Sequence, residues 1–258
     1  LLNDGLADLS RLAAAGELDD VELTGAGFSV TPHKAMFPDI AKSLKLKVES
    51  RLPAIRITDL LLEVDARTEF SNAFTHLRSG RTADNKLALL TAILADGINL
   101  GLTRMADVSP GITMRQLAWA HDWHIREEGY TAAHAILVNA QRQLPLASLW
   151  GDGTTSSSDG QYFPAGGHAE AIGDLNGRYG PNPGAKFYRF TSDQYGAFYI
   201  IAMNANASEA IYVLDGLLYH GSDLAIETHY VDTGGVSDMS FALCHLVGFQ
   251  IVPRLRGL

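Results

Sequence analysis

The sequence has few of the features that stabilise secreted proteins or anchor membrane proteins. Its single cysteine, Cys244, excludes an internal disulfide and a cysteine-based metal cluster, and it suits a reducing cytoplasm. No apolar stretch reaches the roughly 18 residues that a membrane-spanning helix needs, and no secretory signal is visible. In contrast, 47% of the 258 residues are hydrophobic, which is ample for a packed core. We therefore expect a cytoplasmic globular chain without a membrane partner.

One stretch, residues 144–161, combines an apolar run with an acid and a turn. Pro145 ends the helical pattern before it, and the leucines up to Trp150 are typical of a strand buried on both faces. Asp152 follows between two glycines, so the sequence predicts a strand that delivers this carboxylate into a site. Calcium-binding and dinucleotide-binding loops do not fit, because serine occupies the positions where each motif needs a glycine. Asp159, in the same predicted loop, is the nearest competitor.

A second strand-and-acid pattern occurs at residues 225–235, where a β-rich run ends in Asp232 and is followed by Thr-Gly-Gly. Two carboxylates at the ends of adjacent strands repel each other, and one or two hard cations, Mg²⁺ or Mn²⁺, are the usual remedy. Such a pair can catalyse two-metal phosphoryl transfer. We therefore predict that Asp152 and Asp232 are catalytic residues that bind the metal.

The order of the remaining elements predicts the fold. Between the two aspartates the sequence predicts a hairpin over residues 185–203 and a helix over 208–220. After Asp232 it predicts a helix over 237–246 and a short strand over 249–252. This is the order of a ribonuclease-H-like α/β core, a mixed sheet with flanking helices in which the first and fourth strands carry the metal-binding acids.

Three regions are expected along the chain. Residues 1–57 combine a helix with a mixed, basic stretch, and residues 58–143 read as a mainly helical subdomain with apolar residues every three or four positions. Residues 144–258 form the ribonuclease-H-like core. The histidines, including His229 and the pair His121 and His124, are predicted to be structural, because they lack the spacing and the cysteines of a metal site.

Several long segments resemble the catalytic domain of Tn-3 family transposases, the DDE recombinases of bacterial replicative transposons. The segments that carry the resemblance are WGDGTTSSSDGQ (150–161), EAIYVLDGLLYHGSDL (209–224), HYVDTGG (229–235) and FALCHLVGFQIVPRLRGL (241–258). It continues upstream through residues 52–77, so it covers most of the chain beyond about residue 50.

The resemblance implies a metal-dependent enzyme that cleaves transposon ends and transfers their 3′-hydroxyls into target DNA. It implies that Asp152 and Asp232 match the first two acids, with Mg²⁺ or Mn²⁺ as cofactor and a homo-oligomer on DNA in the bacterial cytoplasm or nucleoid. The third acid of the family, a glutamate on a downstream helix, has no counterpart before Leu258. We therefore expect an excerpt of a longer transposase that is inactive by itself.

The net charge of −9 opposes binding of DNA by the surface as a whole, so any contact with DNA must come from local basic patches. Residues 34–56 hold six basic and two acidic residues. This stretch is either a solvated helix face or a surface that contacts phosphates. A glycine-rich insertion, residues 164–183, is a second candidate, as an exposed loop that approaches DNA. The predicted DNA-binding residues are Lys42, Lys45, Lys47, Arg51, Arg178 and Lys186.

Two other functions remain open from the sequence. The chain could be a catalytically incomplete piece that acts only as a DNA-binding or assembly module. It could also be a metal-dependent nuclease, such as a ribonuclease H or a resolvase, that shares the fold without transposition. Binding of end DNA that is indifferent to the predicted acids would favour the first. Cutting of RNA–DNA hybrids or branched DNA would favour the second.

Overall fold

The computed structural model describes residues 2–18, 21–24, 27–30, 38–164, 176–177, 182–232 and 234–254. The contacts divide the chain into a first unit, which runs to Ala54, and a second unit, Ile55–Arg254. None of the helices within the described ranges combines the length and the hydrophobicity that a membrane crossing requires.

The described part of the first unit contains two helices and a short hairpin. They are α1 (Leu2–Ala14), β1 (Val21–Thr24), β2 (Gly27–Val30) and α2 (Asp39–Glu49). β1 and β2 pair antiparallel, with Val21 opposite Val30. No residue of α2 is buried, so its basic side chains all face solvent.

The second unit begins with a helical region. Its helices are α3 (Ile57–Thr68), α4 (Lys86–Gly97), α5 (Leu102–Val108), α6 (Met114–His124) and α7 (Glu127–Arg142), with a 3₁₀ turn at Phe70–Ala73. α6 begins with a capping box, in which the Thr113 side chain and the Gln116 side chain each accept from the other residue's backbone N–H. Leu89 of α4 and Leu117 of α6 lie fully buried at the centre of this region.

The same unit ends with a five-stranded mixed sheet. Its strands are β3 (Thr155–Pro164), β4 (Gly184–Ser192), β5 (Ala197–Met203), β6 (Thr228–Val231) and β7 (Gln250–Pro253), and two helices connect them, α8 (Val213–Leu218) and α9 (Asp238–Val247). The spatial order is β5-β4-β3-β6-β7. β3, β4 and β5 are antiparallel neighbours, whereas β6 runs parallel to β3 and β7 runs parallel to β6. The predicted ribonuclease-H-like fold is confirmed, with the first strand of the core at the centre of the sheet.

The aromatic side chains of the predicted hairpin form the core of the sheet, as expected from their alternation. Tyr188, Phe190 and Phe198 are each at most 1% exposed. Gly216 of α8 packs directly on Phe190, and a Cβ at that position would lie within 2.5 Å of three ring atoms. The backbone of α8 at Gly216 therefore packs directly against the Phe190 ring, which leaves no space for a side chain at this position.

Helix α7 connects the helical region to the sheet. Val138 of α7 belongs to the core of the sheet. Gln141 Nε2 donates to the carbonyl of Gln194 at 3.1 Å, and Asn139 Oδ1 accepts from the amide of Asp223 at 2.8 Å. The helices and the sheet thus lie in one compact unit. The boundaries at 57/58 and 143/144 stay predictions.

The strand predicted at residues 144–150 is wrong. α7 ends at Arg142, and the apolar run forms a 3₁₀ turn, Ala147–Leu149, before an irregular loop. Leu149 is 77% exposed and Trp150 is 60% exposed, and only Ala147 of this run is buried, so the run is not a strand covered on both faces. The strand begins after Asp152, at Thr155. Apolar composition did not imply burial here, because exposed leucines are common on protein surfaces.

Candidate active site

The central strand of the sheet is held by a chain of buried polar side chains. Ser156 Oγ lies 2.8 Å from His229 Nδ1, and Ser158 Oγ lies 2.8 Å from His229 Nε2. Ser158 Oγ also lies 2.6 Å from the Tyr188 hydroxyl. His229 is fully buried and stacks on Phe190, and burial lowers its pKa from 6.5 to about 4. His229 is therefore a neutral core residue, which confirms the structural role predicted for it.

This network fixes the register between β3 and β6. Ser156 is paired with His229 and Ser158 with Val231 in the parallel ladder. The next residue on β3 is Asp159, and the residue that follows β6 is Asp232. Both aspartates are exposed. The fold therefore brings Asp159 and Asp232 together, at neighbouring positions of adjacent parallel strands.

The turn after β6 orients the second of these carboxylates. Asp232 Oδ1 accepts hydrogen bonds from the amides of Gly234 at 2.9 Å and Gly235 at 3.0 Å. A Cβ at Gly235 would lie 3.0 Å from the Val231 side chain and 3.1 Å from the Tyr188 hydroxyl, so the turn packs closely on the sheet. The Thr-Gly-Gly sequence thus permits the turn that the sequence pattern indicated.

Both aspartates line a cleft of about 320 Å³ at this edge of the sheet. The cleft also contains Lys186 of β4 and Glu209, which lies in a short 3₁₀ turn ahead of α8. Each of these two residues is 7% exposed, and Lys186 Nζ forms an ion pair with Glu209 Oε1. Within the described part of the chain, Glu209 Oε2 is buried without a hydrogen-bond partner. The cleft therefore holds three carboxylates and one ammonium group.

The electrostatics at Tyr188 reflect this concentration of charge. Burial raises the pKa of the Tyr188 hydroxyl, and the hydrogen bond with Ser158 opposes that rise. The negative charges of Glu209, Asp232 and Asp159 raise the pKa further. One buried hydroxyl thus lies within electrostatic reach of all three carboxylates.

Asp152 lies elsewhere, and the structure does not bring it to Asp232. It lies before Thr155, the first residue of β3, whereas Asp159 lies four residues after Thr155, about 13 Å along the strand at the usual rise. Because β3 and β6 are parallel, Asp152 precedes the start of its strand while Asp232 follows the end of β6, so the two lie at opposite ends of the strands. Its exposed carboxylate accepts from the Thr154 amide at 3.0 Å and hydroxyl at 2.6 Å, and these bonds lower its pKa. The prediction that Asp152 ends a buried strand beside Asp232 is wrong.

The predicted DNA-binding residues fall into two groups. Lys42, Lys45, Lys47 and Arg51 are exposed on or just after α2, where Lys42 pairs with Asp39 at 3.1 Å and Lys45 with Glu49 at 3.7 Å. Arg178 lies outside the described residues. Lys186 was predicted on an exposed loop. It is instead buried in β4, where its ammonium group forms an ion pair with Glu209. The prediction of an exposed Lys186 is therefore wrong, because a strand begins at Gly184.

The donor set of the cleft fits a hard divalent cation, since carboxylate oxygens are the ligands that Mg²⁺ and Mn²⁺ prefer. Within the described ranges, no group of three or more His, Cys, Asp or Glu side chains converges closely enough to hold a metal by itself. Asp159 and Asp232 could therefore supply two ligands, and water the others. From the sequence, Asp159 was only a competitor of Asp152 for the metal. Glu209 was not predicted as a site residue, because an acid in the first turn of a helix is common.

The sequence is similar along most of its length to a known protein family and to known transposases. The family model of the Tn3 transposase DDE domain matches residues 59–258. The transposase of transposon Tn501 from Pseudomonas aeruginosa is 52% identical over all of this chain, and the transposases of Tn3926 and Tn21 from Escherichia coli are each 51% identical. This chain spans 26% of the length of each of these relatives.

Among solved structures, a paired-end complex of Mos1 transposase with a left transposon end matches 84% of this chain and 73% of that chain. The sequence identity is 10% and the TM-score is 0.28, and a TM-score of this size supports no conclusion about function. The family match covers most of the chain, from the start of the helical region to the last strand of the sheet. The chain belongs to the family of the Tn3 transposase DDE domain.

Proposed function

We propose that this chain carries the first two acids of the catalytic centre of a DNA transposase, and that these acids are Asp159 and Asp232. The observation that carries the proposal is the register of β3 and β6, which puts the two aspartates side by side in one cleft. Asp159 replaces Asp152 in this role, because only Asp159 lies on the first strand of the core. The reaction is cleavage of transposon ends followed by transfer of the 3′-hydroxyl into target DNA, as in replicative transposition.

The chain's own residues would hold and orient the cofactor, Mg²⁺ or Mn²⁺. Asp159 and Asp232 offer carboxylate oxygens from two rigid strands, and the amides of Gly234 and Gly235 fix the orientation of the Asp232 carboxylate. When bound, the cation would activate the attacking water or 3′-hydroxyl and stabilise the leaving oxygen. The buried network beneath β3 keeps the strand rigid and therefore keeps the two acids in register.

The proposed partners are the terminal inverted repeats of a transposon and target DNA, with several copies of the protein assembled on them in the bacterial cytoplasm or nucleoid. The family supports DNA as the partner. The exposed cations of α2, Lys42, Lys45 and Lys47, together with Arg51, are the surface that we propose for contact with phosphates. Removing any one of these cations should reduce both the DNA affinity and its dependence on salt concentration.

A chimera tests the proposed function. This chain replaces the matching quarter of the Tn501 transposase, with which it is 52% identical, and transposition is scored in Escherichia coli. We expect Asp159→Asn and Asp232→Asn to abolish transposition, because each removes a metal ligand while it keeps the shape of the side chain. Asp152→Asn is the matched control and should leave transposition intact. Immunoblots of the chimeras establish that the variants accumulate equally.

The opposite pattern would overturn the assignment. If Asp152→Asn abolishes transposition and Asp159→Asn does not, the first metal ligand is Asp152. If all three variants transpose like the parent chimera, the chain serves as a DNA-binding or assembly module. If the purified chimera cuts RNA–DNA hybrids in Mn²⁺ without preference for inverted-repeat ends, and Asp159→Asn abolishes that cutting, the nuclease function is favoured.

A further inference from the structure

The Glu209 carboxylate is buried in the cleft with only one of its two oxygens satisfied. Oε1 is paired with the Lys186 ammonium group, which is itself only 7% exposed. Oε2 is buried and has no hydrogen-bond partner among the residues that the structure describes. An ionised carboxylate accepts several hydrogen bonds, and leaving one of its oxygens dry and unpaired opposes folding. An oxygen of this kind indicates a binding partner that the protein side chains do not supply.

The free oxygen faces the turn that carries Asp232. A Cβ built on Gly234 would lie 3.2 Å from Asp232 Oδ1 and 3.4 Å from Glu209 Oε2. One methyl-sized space therefore touches both carboxylates, and the chain keeps it open by placing glycine there. A single water molecule is the right size to bridge two oxygens across such a space.

Glu209 also reaches the strand that carries Asp159. A Cβ at Gly160 would collide with Glu209 Oε1 and would lie 2.6 Å from Lys186 Cε. The glycine after Asp159 thus makes room for the ion pair to approach the centre of the sheet. Glu209 therefore lies between the two segments that present the aspartates, and the Lys186 ammonium group offsets one of the three negative charges.

Resting on the proposed function, we propose that Glu209 is a positioning residue of the metal site, whose Oε2 accepts a hydrogen bond from a water bound to the cation held by Asp159 and Asp232. Contact through water suits the space beside Gly234, which touches both Asp232 Oδ1 and Glu209 Oε2. Mg²⁺ and Mn²⁺ sites of this kind retain several waters, and the groups that bind those waters set the affinity for the metal. Lys186 holds Oε1 and leaves Oε2 for the metal-bound water.

The alternative is that Glu209 only neutralises buried Lys186, and a double variant separates the two roles. Lys186→Met with Glu209→Leu removes both charges and nearly conserves volume, and such replacements of a buried ion pair are often tolerated. If the pair is merely structural, the double variant folds and binds Mn²⁺ like the wild type. If Glu209 positions a metal-bound water, the double variant folds but binds Mn²⁺ weakly.

The experiment is a titration of the chain with Mn²⁺, in which binding is measured by calorimetry and by the loss of the free-ion electron paramagnetic resonance signal. The melting temperature in EDTA shows whether each variant is folded. We expect the double variant and Glu209→Gln to raise the Mn²⁺ dissociation constant about 10- to 100-fold. The double variant should melt within a few degrees of the wild type. Glu209→Asp in the wild-type background should recover part of the affinity.

The outcomes distinguish this inference from the proposed function. If the double variant is folded and binds Mn²⁺ as tightly as the wild type, while Asp159→Asn and Asp232→Asn bind weakly, the role of Glu209 is overturned and the two-aspartate site stands. If none of the variants differs from the wild type, or if the wild type binds no Mn²⁺, both proposals are overturned. A 10-fold or larger loss in both the aspartate variants and the folded double variant supports both.

Discussion

Ser158 is paired with Val231 across the parallel ladder of β3 and β6, and the next residue after each is an aspartate. This relationship places two negative charges at neighbouring positions, with the buried carboxylate of Glu209 in the same cleft. Like charges directly opposite each other in a sheet oppose folding, and a bound cation would neutralise them. The expected repulsion and the proposed metal site are therefore two aspects of one arrangement.

Removing one of these charges should stabilise the metal-free chain and abolish its response to metal. Asp232→Asn keeps the oxygen that accepts from Gly234 and Gly235, so the turn persists while the repulsion falls. We expect about 0.2–1 kcal/mol of added stability in EDTA. At a Mn²⁺ concentration 100 times the dissociation constant, the wild type should gain about 2.7 kcal/mol and the variant almost nothing. Thermal unfolding with and without Mn²⁺ measures both effects, and an equal Mn²⁺ response in the variant would contradict the prediction.

Breaking the buried hydroxyl network should destabilise the sheet. Ser158→Ala leaves the Tyr188 hydroxyl and His229 Nε2 without their shared partner. We expect a loss of about 1–3 kcal/mol in the free energy of unfolding, because buried polar atoms become unsatisfied. Ser157→Ala is the matched control: Ser157 lies next to Ser158 on the same strand but is exposed, so its loss should cost little. Urea denaturation measures both, and equal losses would argue against the network.

Stability should fall as the pH falls below neutral, and His229 should account for a defined part of the loss. Its pKa is lowered from 6.5 to about 4 in the folded chain, so the unfolded chain takes up a proton first. The stability that His229 contributes is therefore fully present above pH 6.5. About 3 kcal/mol of it is lost as the pH falls from 6.5 to 4.

Replacing the imidazole measures the contribution of His229. His229→Gln should flatten the dependence of the unfolding free energy on pH between 6.5 and 4, although the variant is less stable at pH 7.5. Ser157→Ala removes an exposed hydroxyl that does not titrate from the neighbouring strand β3, and it should leave the pH dependence unchanged. Denaturation curves at pH 7.5, 5.5 and 4.5 give the slopes, and identical slopes in the wild type and His229→Gln would refute the assignment.

The packing of α8 on the sheet should tolerate no added volume. Gly216→Ala would drive a methyl group into the buried ring of Phe190. We expect a loss of about 1–3 kcal/mol in stability, because the core must shift to accept the methyl group. Gly97→Ala is the control, since Gly97 ends α4 and no atom lies within 4 Å of a Cβ placed there, and it should be neutral or stabilising by up to about 1 kcal/mol. Calorimetry measures the thermal stability of both variants, and a Gly216→Ala variant as stable as Gly97→Ala would contradict the prediction.

The elements that the sequence predicted well carry strong local signals. The hairpin of β4 and β5 lies within the predicted range of residues 185–203 to within one residue, and its strands alternate aromatic and smaller residues. In the predicted helix over residues 208–220, the Ser208 side chain accepts from the Ala210 amide and caps a 3₁₀ turn, Glu209–Ile211, whereas the α-helix itself covers only Val213–Leu218. The Ser237 side chain caps α9, at the predicted start of that helix. Cys244 is buried in α9. Propensity and tertiary packing agree at these positions.

The central strand was missed because its buried side chains are not apolar. Ser156 and Ser158 face the core, where hydrogen bonds to His229 and Tyr188 satisfy them, so no hydrophobic alternation marks β3. The apolar run that looked like the strand is exposed, with Leu149 77% accessible. Both errors moved the first acid from Asp159 to Asp152. A signal for the strand existed in the alternation of buried and exposed hydroxyl residues, but such alternation is weak without the partner strands.

The hydroxyl network also sets the order in which the molecule can assemble. The hydrogen bond of Ser156 with His229 joins residues 73 positions apart, and that of Ser158 with His229 joins residues 71 apart. Interactions this distant in sequence form late, because a long loop must close before they contribute. The antiparallel hairpin can form early, but β3 acquires its second neighbour only when β6 docks. The two aspartates should therefore come together in a late step of folding, and a nascent chain should bind the metal weakly before its sheet has closed.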